Sequence, residues 1–165
     1  MVETTIAAIR SSTTLLGQLL YTTDLRQEGN WYYDPIDNAT LGNTGTVLVS
    51  IGGQRYKRIY NGGVFPEWFG AICDGATDAT VAIKRLVEFP DIEFSVGLGY
   101  AVNDTISFPN TLKRLIMNSP LIYTGTLNIP LLIIGESAKV LLQADLRINV
   151  NRRFYQNGLT IPASV

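Results

Sequence analysis

A five-residue pattern recurs along the C-terminal half of the chain, and that recurrence limits the available folds more than any other feature. Thr105-Ile106-Ser107-Phe108-Pro109 returns 21 residues later as Thr126-Leu127-Asn128-Ile129-Pro130, and after the same interval as Arg147-Ile148-Asn149-Val150-Asn151. Each copy alternates one apolar residue, one small polar residue and a second apolar residue. Alternation of period two marks a strand with one buried face. Its return at an interval of ~20 residues is what one turn of a β-solenoid requires. The spacing predicts that Ile106, Phe108, Leu127, Ile129, Ile148 and Val150 share one core, with equivalent positions stacked about 4.8 Å apart.

One amphipathic helix precedes the repeat. Ala79, Ala82, Ile83, Leu86 and Val87 fall at helical spacing, with Lys84, Arg85 and Glu88 on the other side. Asp78 or Thr77 supplies an N-cap, and Phe89-Pro90 ends the pattern because the residue before proline leaves the helical region. The prediction is a helix over 78–89, covering the backbone edge that the first solenoid turn would leave unpaired.

Upstream, short β-type runs are separated by turn residues. Residues 3–10 suit a short helix or turn, and Leu19 and Leu20 fall in a predicted strand over 18–23. Trp31-Tyr32-Tyr33 ends at Asp34-Pro35, Thr46–Ile51 at Gly52-Gly53, and Arg55–Tyr60 at Asn61-Gly62-Gly63. These runs predict a small meander with a half-exposed aromatic face.

Composition removes several functions. A length of 165 residues suits one domain, or a small domain plus the start of another, and 46% hydrophobic residues exclude disorder as the main state. Thirteen basic residues against 14 acidic ones leave no electrostatic footprint for nucleic acid. No apolar stretch approaches the ~18 residues of a membrane span, and no secretory signal is visible at the N-terminus. Cys73 is the single cysteine, which excludes intrachain disulfides and thiolate metal clusters. Histidine is absent, which removes His-based triads, His zinc sites and the commonest general base. With only 16% charged residues, the surface is suited to meeting other copies of the chain.

Between the β-rich N-terminal part and the helix runs Val64-Phe65-Pro66-Glu67-Trp68-Phe69-Gly70-Ala71, followed by Asp74-Gly75-Ala76-Thr77-Asp78-Ala79-Thr80 and Ala82-Ile83. This stretch resembles the segment that opens pectate-lyase-like right-handed parallel β-helices, where a W-F-G-A…D-G…D-D-T…A-I pattern leads into a capping helix. Gly29-Asn30-Trp31-Tyr32-Tyr33-Asp34 and Gly53–Ile59 are similar to the β-rich part that precedes it in many phage tailspikes and tail fibres. The resemblance covers about residues 5–150. It departs at Ala79, where a second Asp is usual, and at Cys73, where a small polar or basic residue is common. The chain also stops after about three turns, short of the middle turns that carry catalytic groups in the family's enzymes.

The resemblance implies a mainly β chain: a small attachment domain over 1–63, an opening segment and capping helix over 64–90, and the start of a right-handed parallel β-helix over 91–165. It implies a virion structural protein of tail-fibre or tailspike type that attaches and orients a receptor-binding apparatus, with homotrimeric assembly and contacts to other tail or capsid proteins. The alternatives are the N-terminal part of a polysaccharide depolymerase (lyase or glycoside hydrolase), a capsid head fibre or decoration protein, and a surface glycan-binding module.

Trp68, Phe69, Gly70, Asp74, Gly75, Asp78 and Thr80 are the structural motif. Asp74 and Asp78 could contribute to a Ca²⁺ site, but such a site wants six or more oxygens, and turn and cap roles explain them with less. Asp91 with Glu93, or Asp104, could form a glycosidase pair, although their spacing does not select that over solvated loop charge. Trp31, Tyr33, Tyr56 and Tyr60 are expected at a subunit interface or in contact with host surface polysaccharide. Lys57-Arg58 and Arg152-Arg153 read as surface charge. No catalytic residue, cofactor, metal, nucleic-acid partner or membrane contact is expected.

Overall fold

A computed structural model describes residues 1–126, 132–134 and 141–144 of the chain. The chain divides into two compact units, one of Met1–Gly62 with Glu67–Gly70, the other of Gly63–Pro66 and the chain from Ala71 onward. The segment Glu67–Gly70 therefore belongs with the N-terminal unit, although the sequence groups it with residues 64–90.

The N-terminal unit is a five-stranded sheet. β1 (Val2–Thr4) pairs in parallel with β2 (Leu19–Thr22), and α1 (Ile6–Ser11) makes the crossover between them. The Thr5 hydroxyl caps α1 by accepting the Ala8 N–H over 3.1 Å, and Asp24 accepts the Ile6 N–H over 2.7 Å. β3 (Gly29–Tyr33) and β5 (Arg55–Ile59) follow antiparallel, and β4 (Val47–Val49) lies outside β5. The order is β1-β2-β3-β5-β4. β2, β3, β4 and β5 fall where the sequence puts strands, whereas β1 overlaps residues read as a helix or turn; β5 also inserts between β3 and β4, so the sheet is not a sequential meander.

Directly opposed residues share a face of a sheet. Leu20, Trp31 and Arg58 form one such row, and Leu48, Tyr56 and Tyr33 form another. Ile6 and Ile9 of α1 join Leu20, Trp31, Leu48 and Tyr56 in one buried cluster, with Leu16 and Tyr33 packed against it. The predicted half-exposed aromatic face is thus corrected: Trp31 and Tyr56 are fully buried. On the other face Leu19 stands opposite Tyr32, and both remain exposed.

The second unit is a stack of parallel strands. β6 (Asp91–Phe94), β7 (Tyr100–Val102) and β8 (Ile106–Phe108) each start a different sheet. β9 (Arg114–Met117), β10 (Leu121–Tyr123) and β11 (Leu132–Ile134) pair with them in parallel, in the same order, and β12 (Leu141–Ala144) pairs with β9. Inward positions stack: Ile92 on Leu115, and Phe94 on Met117, all buried. Two isolated parallel bridges, Val64 with Ile92 and Asp78 with Ala101, place the preceding chain against the first strands of two sheets. α2 (Thr80–Leu86) packs on β8, the first strand of the third.

Two expectations change. The helix is shorter than 78–89: its N-cap is Ala79, and Val87 closes it by donating its N–H to the Ile83 carbonyl. The uniform 21-residue interval also fails. Tyr100 does pair with Leu121, but Asp91 pairs with Arg114, and Ile106 pairs with Leu132, 26 residues on. The connection from β10 to β11 is longer than that from β7 to β8, so sheet register is kept while the sequence period is not. Leu127, Ile129, Ile148 and Val150 lie outside the described residues.

Candidate functional site

Two clusters contain most of the residues singled out by the sequence. In the N-terminal unit, Trp68 and Phe69 sit on a 3-10 turn, Pro66–Phe69, that Gly70 ends at a φ of +95°, a conformation open to glycine at little cost. The Trp68 ring meets Tyr60 edge-on, with centroids 5.3 Å apart. Tyr33 packs obliquely on Tyr56 at 5.8 Å. The buried Trp31 and Tyr56 cannot stack on a sugar or meet a neighbouring subunit; Trp31 donates its indole proton to Thr22, and the Tyr56 hydroxyl accepts the Leu16 N–H. Half-buried Tyr33 and exposed Tyr60 keep surface for such contacts.

Between the two tryptophans lies Arg58, which the sequence predicts as surface charge. It is only 5% exposed. Its guanidinium carbon is 4.4 Å from the Trp31 ring centre and 4.5 Å from that of Trp68, within cation–π range. Burial pushes the guanidinium down to about 10, so it stays charged at neutral pH. Period two contained the signal: with Tyr56 inward, Arg58 two residues on must also point inward. Its neighbour Lys57 points the other way, where Asp34 and Asp37 bind its ammonium at 2.7 and 3.0 Å.

The second cluster lies at the start of the parallel strands. Asp74 Oδ1 accepts the N–H groups of Ala76 and Thr77, and its Oδ2 accepts the Thr77 hydroxyl. The Thr77 hydroxyl, and then the amides, hold the Asp74 carboxyl down at about 2. Gly75, at φ +76°, donates its N–H to the Gly99 carbonyl. Asp78 accepts the Thr80 N–H over 3.0 Å and the Asn103 side-chain amide over 2.9 Å. Thr80, in turn, accepts the Asn103 N–H over 2.9 Å. Asp78 therefore ties the helix start to the end of β7.

This is turn and cap chemistry. Among the described residues no group of three or more His, Cys, Asp or Glu side chains is placed to hold a metal ion. Asp91 pairs with Arg114 at 2.6 Å, and Asp104 pairs with Lys84, which lowers the Asp104 carboxyl. A glycosidase acid needs a raised carboxyl, so Asp104 is poorly suited to that role. Among the described residues no helix is long and apolar enough to cross a membrane.

Residues 4–61 match the family described as phage tail protein small four-stranded beta-sheet domain. Over roughly four-fifths of its length the chain is similar in fold to solved phage tailspikes. It shares 23% identity with the tailspike protein of Acinetobacter baumannii phage AM24 at a TM-score of 0.57, over 84% of this chain and 28% of that one. It shares 19% with full-length tailspike protein 2 from Escherichia coli O157:H7 bacteriophage CAB120 at 0.54, over 82% and 20%. It shares 17% with the enzymatically active domain of bacteriophage CBA120 tailspike protein 4 at 0.60, over 81% and 20%. The chain thus spans less than a third of the length of each.

Proposed function

We propose that this chain is a virion structural part of a phage tailspike or tail fibre. Residues 1–63 attach it to other virion proteins, residues 64–90 open and cap a right-handed parallel β-helix, and the strands from 91 onward are its first turns. One observation carries the reading. A sheet matching a phage tail domain is joined, in one chain, to parallel strands whose first turn is flanked by a short helix.

The work assigned to it is mechanical: to attach and orient a receptor-binding apparatus, as a homotrimer in the tail of the virion. The exposed Leu19 and Tyr32 on one sheet face give such assembly an apolar surface. Closed cyclic symmetry would present the same patch on every copy. Light scattering on the purified chain tests the assembly. A mass three times the 18.1 kDa of the chain is expected; a monomer or dimer at micromolar concentration defeats the trimer.

A second reading is favoured by the likeness to a tailspike domain described as enzymatically active. On that reading the chain is the leading part of a polysaccharide depolymerase. The chain by itself is expected to leave host surface polysaccharides intact. Release of new reducing ends or of unsaturated sugars would place the catalytic function here.

A further inference from the structure

The segment Glu67–Gly70 is separated from the N-terminal sheet by residues 63–66, yet it is built into that unit. Side-chain and backbone contacts hold it there. Trp68 lies against the Arg58 guanidinium and edge-on to Tyr60. The Gln27 side-chain amide donates to the Glu67 carbonyl over 3.0 Å. The Phe69 ring sits on Gly45 so closely that a Cβ there would be 2.4 Å from its Cζ.

Arg58 is fixed from the other side as well. Its Nε donates to the Gly45 carbonyl over 2.7 Å, Nη1 to Glu28 over 2.8 Å, and Nη2 to Gln27 over 3.0 Å. A Cβ on Gly29 would approach Nη1 to 2.2 Å. The same loop carbonyls and backbone that hold Arg58 thus frame the seat of Trp68 and Phe69. A planar guanidinium with a fixed fork of donors suits this place, because it binds carbonyls at its edge and stacks on aromatic rings with its faces.

The geometry points to a latch: Glu67–Gly70 is a separable strap, and Arg58 is the pin that holds it on the N-terminal unit. The sheet has its own buried cluster, formed by α1, Leu20, Trp31, Leu48 and Tyr56, to which the strap contributes nothing. Glu67 and Phe69 are buried, yet the strap is a four-residue turn outside that cluster, and short peripheral segments open at lower free energy than the cores they rest on. The strap therefore opens without the sheet, and the Arg58 contacts set how often. With the strap closed, residues 67–70 are pinned to the N-terminal unit; with it open, they are released from it. This holds whether or not the chain serves a phage.

Hydrogen exchange on the full chain reads the latch, because the Gly70 and Ala71 amides are bonded within the strap turn, to the Glu67 and Pro66 carbonyls. In Arg58→Met their exchange should accelerate roughly tenfold or more, while amides of β2, β3 and β5 keep their protection. Unchanged exchange at Gly70 and Ala71 would overturn the latch. Should Arg58→Met loosen the sheet too, Trp68→Ala decides. Acceleration confined to the strap upholds the proposal, and acceleration shared equally with the sheet, or none, overturns it.

Discussion

The indole N–H of Trp31 donates to the Thr22 hydroxyl over 3.0 Å, and neither residue is exposed. The hydroxyl has its own acceptor in the Gln27 carbonyl, also at 3.0 Å. This relay lets a tryptophan sit inside a small sheet with no unpaired proton. Thr22→Val keeps the shape but strands the indole N–H, at a cost of about 1–3 kcal/mol. Urea unfolding followed by tryptophan fluorescence should record it as a lowered midpoint. Thr22→Ser, which keeps the hydroxyl, should stay much closer to the parent.

A second expectation concerns α2. Ile83 and Leu86 are fully buried, and the helix packs on β8. Leu86→Ala should destabilise the second unit by ~2–5 kcal/mol through lost contacts and the cavity left behind. Leu86→Asp buries a charge without a partner and should drive aggregation. A soluble Leu86→Asp chain with an unchanged melting temperature would refute the packing role of this face.

Acid should act through the carboxylates held below their usual range, which include those of the turn region. Asp74 is held at about 2 and Asp78 is lowered, each chiefly by a threonine hydroxyl and then by amides. Because the folded values lie below the ordinary aspartate value of about 3.9, the unfolded chain takes up protons first as pH falls. The stability these groups contribute is complete above that value and is lost as pH falls through the folded ones. Melting temperature should therefore hold near neutral pH and decline between about pH 4 and 2. Asp74→Asn should flatten part of that decline, and carboxyl resonances followed by NMR should put Asp74 among the last to titrate.

The short strands were legible because period-two alternation and turn residues act locally. Trp31-Tyr32-Tyr33 and Arg55–Ile59 needed no long-range information to be read as β. Strand order was not legible: that β5 lies between β3 and β4 depends on which edges meet, and no local pattern encodes it. Inward and outward faces were misjudged for the same residues. Tyr56 and Arg58 alternate with Lys57 in sequence, but only the α1 layer decides which side is inside. The buried Arg58 escaped because a cation in a core needs carbonyls and indoles drawn from three distant segments. At the second cluster Asp74, Gly75 and Asp78 were legible, since their bonds reach only two or three residues along the chain. Asn103, joined to Asp78 from the next turn, was not.

The register of the third sheet gives the last prediction. Ser107 stands opposite Ile133 in the parallel pair of β8 and β11, whereas a strict 21-residue interval would set Ser107 opposite Asn128. Neighbouring strands run about 4.8 Å apart, which lies within the Cα separations of ~4.4–6.8 Å that a disulfide accepts. The two registers therefore differ in which cysteine pair can close. In a Cys73→Ala background, which removes the one native thiol, Ser107→Cys with Ile133→Cys should oxidise within the chain. Ser107→Cys with Asn128→Cys should remain reduced under the same conditions. Intact mass and non-reducing peptide mapping distinguish the products. Closure of the 107–128 pair with the 107–133 pair left open would restore the uniform interval and overturn the observed register.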